Sequence, residues 1–204
     1  MTKFLNKKSC FIAKTVKIGK NVTIYENNHI EGNSFIDDNT TLLPGNFIVS
    51  SIIGKDCTLH SSVIENSIIK DNVKVGPFAH LRPQSEIESN CKIGNFVEVK
   101  KSKISEGTKA SHLTYIGDAE IGKHCNLGCG VIFANYNGKE KNKTYVGDNV
   151  FIGCNSNLVA PLKIEDETFI ACGSTITKDV LKGTFAIARA RQTNLEGRAY
   201  KYIS

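Results

Sequence analysis

Aliphatic residues recur every six positions along most of this chain. They fall at 18, 24, 30, 36, 42 and 48, again at 69, 75, 81, 87, 93 and 99, and again at 146, 152, 158, 164, 170 and 176. An amphipathic helix repeats near 3.6 residues and a plain strand at 2, so neither template fits this period. Between the series the rhythm slips by one residue, from Ile48 to Ile53, Leu59 to Ile64 to Ile69, Val99 to Ile104, and Ile116 to Ile121. A single short repeat cannot bury its apolar face, whereas stacked repeats build a continuous core. The pattern predicts an all-β, three-sided parallel solenoid, with about eighteen residues per coil and roughly nine coils between Ile18 and Leu181. Coils would stack at about 4.8 Å per step. Glycine often follows the aliphatic (Gly19, Gly54, Gly76, Gly94, Gly122, Gly128, Gly147, Gly153), which suggests a corner backbone that other residues avoid.

The rhythm also sets provisional boundaries. Residues 1–17 read as an N-terminal lead-in or cap, with Phe4, Leu5, Phe11 and Ile12 covering the first coil. Residues 18–182 form the β-helix, and 183–204 a C-terminal tail that holds a short helix and covers the other end. The chain has no run of eighteen apolar residues, and its first ten residues, MTKFLNKKSC, lack the apolar core of a signal peptide. Seven cysteines, an odd number, point to reduced thiols and a cytoplasmic location. Cys125 and Cys129 are spaced CxxxC, but no second pair or histidine follows at zinc-site spacing.

Net charge is +6, and the end of the chain is markedly basic: Lys178, Lys182, Arg189, Arg191, Arg198 and Lys201 face only Asp179 and Glu196. A solvated tail would account for this. So would a phosphate-bearing ligand nearby. Nucleic acid fits less well, since no aromatic residues interleave with the charge.

One stretch departs from pure scaffold. Lys109–Thr144 carries His112, Tyr115, Asn126, Asn135 and Tyr136, and from Asn135 it leaves the rhythm for a polar loop. Grouping the hexads in threes stacks Asn95, His112, Cys129, Cys154 and Cys172 in one column, one per coil, and makes Glu98 and Tyr115 neighbours. A histidine at the foot of a column of small residues suits a groove for a long thin ligand. Small residues at corners are also routine in such folds. Four coil steps span about 19 Å, the reach of an extended pantetheine arm.

The segments VGPFAHLRP (Val75–Pro83), IGNFVEVKK (Ile93–Lys101), KASHLTYIGDAEIG (Lys109–Gly122), NYNGKEKNKT (Asn135–Thr144), and VGDNVFIG with LVAPLKI (Val146–Ile164) resemble one family. This is the acetyltransferase domain of the bacterial bifunctional uridyltransferase/glucosamine-1-phosphate acetyltransferases. The likeness runs from about Val75 to Gly197; before that only the hexad rhythm and a segment like SVIENS support it. The resemblance implies a left-handed parallel β-helix of hexapeptide repeats. That hand comes from the family alone, because general crossover rules favour the right. No counterpart of the uridyltransferase domain is present in the sequence.

By the same resemblance, acetyl-CoA donates acetyl to the 2-amino group of glucosamine 1-phosphate, on the way to UDP-N-acetylglucosamine and cell-envelope polymers. His112 is implied as general base, oriented by Glu98. Arg82, Lys100, Tyr115, Asn126 and Lys141 match sugar- and phosphate-binding positions. Cys129, Asn135, Tyr136, Cys154, Cys172 and Arg189 match acetyl-CoA positions, with the Cys129 backbone N–H stabilising the oxyanion. A homotrimer is implied, with no metal for acetyl transfer, no nucleic acid and no membrane, and with a separate uridyltransferase as a conceivable partner. Two departures stand out. Relatives usually carry Ala or Ser where this chain has Cys129, Cys154 and Cys172, and often Trp where it has Arg198. Stacked thiols would make activity redox-sensitive.

Three rivals fit the same solenoid. A gamma-class carbonic anhydrase needs three histidines on one zinc, but His112 and His124 fall on different faces. An acyltransferase acting on another amino sugar would not need so long a match through the sugar-binding residues. An inactive scaffold would have no reason to retain His112, Glu98, Arg82, Lys100 and Tyr115 together.

Overall fold

The computed structural model describes residues 1–202, which form a left-handed parallel β-helix with almost no helix. Short strands alternate with corners, and each inward aliphatic packs on its equivalent one coil away. On one face Ile18, Ile36, Ile53, Ile69, Ile87, Ile104, Ile121, Val146 and Ile164 stack in a nine-stranded parallel sheet. The one-residue slips therefore shorten a coil without moving its aliphatic out of the column. Between Ile121 and Val146 the loop from Asn135 is extruded, and the two residues still pair directly.

The other two faces belong to a single nineteen-stranded sheet. They merge because Lys92–Lys100 and Lys109–Gly117 each run nine residues without a break, around the corner that separates the faces. These two strands pair in register from Lys92↔Lys109 to Lys100↔Gly117. The paired strands carry Asn95, Glu98, Lys100, His112 and Tyr115.

At Gly76, with φ of 96°, the expected backbone freedom is used; the other corner glycines have a different reason. Gly19, Gly54, Gly94, Gly122, Gly128, Gly147 and Gly153 do not adopt the left-handed conformation; that role falls two residues later, to residues such as Asn21, Asp56, Asn149 and Asn155. The glycines instead let coils approach. A methyl group on Gly128 would lie 2.6 Å from the Cys154 amide nitrogen of the next coil.

Both ends of the solenoid extend past the predicted limits. Lys3–Phe4 pairs with Thr23–Ile24, and Phe11–Ile12 with His29–Ile30, so the segment read as a lead-in is itself a coil. A 3-10 turn at Lys7–Ser9 widens the spacing between its inward residues and hid it from the six-residue count. At the other end Val180 bridges to Ile164, and Phe185–Ala186 pairs with Phe169–Ile170. The rhythm continues there with a small alanine in the aliphatic slot. Past Arg189 the chain is exposed and forms one 3-10 turn, Arg198–Lys201. The last two residues of the expected tail, 203 and 204, lie outside the described residues.

Candidate active site

The expected column forms on the corner between the two merged faces. Asn95 and His112 are register partners. Above them Gly130 N donates to Leu113 O at 2.7 Å, Asn155 N to Cys129 O at 2.8 Å, and Gly173 N to Cys154 O at 2.8 Å. Cys129, Cys154 and Cys172 therefore succeed His112 coil by coil, and all three are exposed free thiols. Cys125 is buried in the corner instead and does not share a site with Cys129. The amide N–H of Cys129 makes no hydrogen bond among the described residues. It is a free donor one coil above the imidazole.

Glu98 makes no hydrogen bond with His112 among the described residues. Its carboxylate holds Arg82 Nη1 at 2.9 Å, and His112 Nδ1 instead meets Asn95 Oδ1 at 2.8 Å. The reason is geometric. His112 lies on the corner, whereas Glu98 faces outward from the next face, beside its register partner Tyr115 and one coil above Arg82. The ion pair holds the Arg82 pKa above its usual value. Glu98 thus fixes a guanidinium.

Cations gather on the same face. The ammonium of Lys141, in the extruded loop, lies against that of largely buried Lys100 and pushes the Lys100 pKa below the usual lysine range, with burial adding to the effect. Two ammonium groups held together in this way favour an anion between them. Asn135 is buried, and its amide donates to Asp118. Tyr115 is close by: a methyl on Gly117 would lie 2.5 Å from Tyr115 Oη and 2.7 Å from Asn135 Nδ2. Tyr136 is exposed; its hydroxyl donates to Gly138 O at 2.7 Å within the loop.

Asn126 stands apart from these groups. It points outward from the neighbouring face, between Lys109 and Phe151, so a single chain does not bring it to Arg82 or Lys100. Arg189 does reach the top of the thiol column, with its Cδ 3.7 Å from where a methyl on Gly173 would sit.

Two features escaped the sequence reading. Asn95 was placed in the column but given no task. Phe78, Phe96 and Leu113 form an exposed apolar ridge beside the column, each with positive φ. Bulky residues seldom occupy that conformation. The signal was available, because these three sit where other coils place Asn, Ser or Gly. An open groove of about 570 Å³ lies elsewhere, along the nine-stranded sheet by Lys103, Glu120, Tyr145 and Lys163. Its charged walls are largely self-paired, as in Lys103–Glu86 and Lys163–Glu165.

Residues 66–101 match the family model for the bacterial transferase hexapeptide (six repeats). The chain is 52% identical over 193 residues to the bifunctional protein GlmU of Clostridium beijerinckii, covering 95% of this chain and 42% of that protein. It is 55% identical over 189 residues to GlmU of Caldicellulosiruptor saccharolyticus, covering 93% of this chain and 41% of that protein. The chain thus spans about two fifths of the length of the curated relatives it matches. Among solved structures, the UDP-N-acetylglucosamine acyltransferase of Arabidopsis superposes with a TM-score of 0.59 at 22% identity, over 87% of this chain and 69% of that one. That level of identity bears on the fold alone. With half of its residues shared over nearly its whole length, the chain is similar to the part of the bifunctional GlmU proteins that it covers, and within it residues 66–101 match the bacterial transferase hexapeptide repeats.

Proposed function

We propose that this β-helix is a glucosamine-1-phosphate N-acetyltransferase that uses acetyl-CoA. The main support from the structure is that His112 stands at the foot of an open column of small side chains, one corner away from Arg82, Lys100 and Lys141. A phosphate would sit against these cations. The Glu98 carboxylate holds one side of the Arg82 guanidinium and leaves its other donors for phosphate oxygens. The pantetheine arm would run along Cys129, Cys154 and Cys172, with Arg189 at the far end near the CoA phosphates.

In the reaction His112 takes a proton from the 2-amino group as the nitrogen attacks the thioester carbonyl. The carbonyl oxygen becomes an oxyanion, for which the unpaired Cys129 N–H is a ready donor. The C–S bond then breaks, and the CoA thiolate leaves and takes up the proton held by the imidazolium. The products are N-acetylglucosamine 1-phosphate and CoA, and no covalent enzyme intermediate is needed. Asn126 can join the sugar site only from a second copy of the chain, which fits a homotrimer with sites between subunits. The β-helix spans residues 3–186 in this scheme, and the exposed segment after Arg189 covers its open end or reaches a neighbour.

The test is to incubate the protein with acetyl-CoA and glucosamine 1-phosphate and to weigh the sugar by mass spectrometry. A thiol dye would be confounded by the protein's own seven cysteines. Gain of one acetyl group on nitrogen is expected. An unmodified sugar in the presence of folded, oligomeric protein would refute the assignment.

A further inference from the structure

His112 and Asn95 face each other across adjoining coils, and neither side chain makes another hydrogen bond among the described residues. The surroundings leave little choice of partner. Below Asn95 in the column lies Pro77, which has no polar side-chain group; Phe96 N donates to Phe78 O at 3.1 Å in the same register. Above His112 lies Cys129. Glu98, three residues after Asn95 on the same strand, is committed to Arg82. Thr114 Oγ1 donates to the His112 carbonyl at 2.8 Å and so leaves the ring alone.

We propose that Asn95 is the positioning residue for His112: its amide oxygen accepts the Nδ1–H and thereby places the lone pair on Nε2, facing the groove. This rests on the acetyltransferase reading above and assigns that site a residue acting through the base. Which ring nitrogen carries the proton is set by the hydrogen bond that the other makes. Without a partner the neutral ring would spend much of its time with the proton on Nε2, where it cannot accept one from the amine. A neutral amide has a second consequence. A carboxylate in its place would favour the imidazolium and hold the base protonated to higher pH. Asn95 fixes the tautomer without that cost. Leu113, directly after His112, has φ of 39°, a backbone held out of the usual range at the point where the ring is aimed.

The decisive experiment combines ¹⁵N NMR of the His112 ring with kinetics on two variants. The ring signal is assigned among the five histidines by its loss in His112→Ala. In the parent, Nδ1 should carry the proton and Nε2 none once the ring is neutral. Asn95→Ala should give a mixture of tautomers and lower kcat about tenfold, which is roughly one hydrogen bond, with KM for the sugar phosphate unchanged. Asn95→Asp can only accept a hydrogen bond. It should keep the Nδ1–H tautomer, move the acid limb of the pH profile to higher pH, and recover the parental rate above it. A proton on Nε2 in the parent, or full kcat in Asn95→Ala, overturns the proposal. So does an inactive, folded Asn95→Asp. The NMR needs no substrate, so a failure of acetyl transfer itself would be seen separately.

Discussion

His29 and His112 occupy the same kind of scaffold and meet different surroundings. His29, in the first coils, stacks between Phe11 and Phe47 with ring centroids 4.5 and 4.8 Å away, and its Nε2 lies 3.0 Å from Glu31. Aromatic rings cover both its faces and a carboxylate takes its nitrogen. His112 meets a neutral amide on Nδ1 and is otherwise exposed, below a free backbone donor. The interiors under the two are alike: Ile30 and Ile48 below one and Ile116 below the other are fully buried. Corners in the early coils are held by buried polar ladders, such as Asn46 Nδ2 donating to Asn28 Oδ1 at 2.9 Å. Inward positions therefore build the same solenoid throughout. Chemistry is decided by outward columns, and by whether a side chain there is consumed by its neighbours.

The largest effect expected from this contrast is on turnover. His112→Ala should lower acetyl transfer by about 10²- to 10⁴-fold, the usual worth of a general base, while the melting temperature holds. His29→Ala should leave the rate unchanged. Equal losses in initial-rate assays of the two variants would break the comparison.

Stability should show the opposite pattern. Ile64→Ala, in the early coils, and Ile116→Ala, in the site coils, should each cost about 2–5 kcal/mol in urea unfolding, since both empty a fully buried slot. A much smaller cost in the site coils would mean that the two interiors differ after all.

A smaller effect concerns pH. The Lys100 pKa is lowered, so Lys100 loses its charge at lower pH than an ordinary lysine. Its charged form opposes folding in full below the lowered pKa, and the penalty is relieved as pH rises from there to the ordinary lysine pKa. A phosphate bound between Lys100 and Lys141 acts in the other direction. KM for the sugar phosphate should therefore begin to climb below the ordinary lysine range, and Lys100→Met should remove that limb while raising KM throughout.

The smallest effects sort the thiols. Burial pushes the Cys57 and Cys91 pKa values up to about 11 and raises that of Cys125 as well. Iodoacetamide at neutral pH should label Cys129, Cys154 and Cys172 first, as read by peptide mapping, with a parallel loss of acetyl transfer. Full activity after these three are modified would remove both the groove assignment and any redox sensitivity.

The columns were legible in the sequence because inward aliphatics repeat and the slips preserve their order. Val99 to Ile104 reads as an error in a six-residue count, yet Ile104 pairs with Ile87. The end coils were missed where a turn widened the spacing, at Lys7–Ser9, or where alanine replaced the aliphatic, at Ala186. The site was legible as a set of positions and illegible in its pairings. Glu98 was assigned to His112 because coil stacking puts it beside Tyr115 on the adjoining coil and the family resemblance implied a carboxylate partner. Outward side chains choose partners diagonally across coils: Glu65 holds His80 at 2.9 Å just as Arg82 holds Glu98 at 2.9 Å. That recurring diagonal comes from coil geometry, which periodicity alone does not reveal.

The most direct measurement is a competition in which the protein and acetyl-CoA are given equal amounts of glucosamine 1-phosphate and glucosamine 6-phosphate, and the products are separated and weighed. If Arg82, Lys100 and Lys141 hold the phosphate while His112 reaches the adjacent 2-amino group, the 1-phosphate should be acetylated at least about a hundredfold faster, the scale of a lost charge-assisted contact. Equal acetylation of both, or preference for the 6-phosphate, would contradict the account.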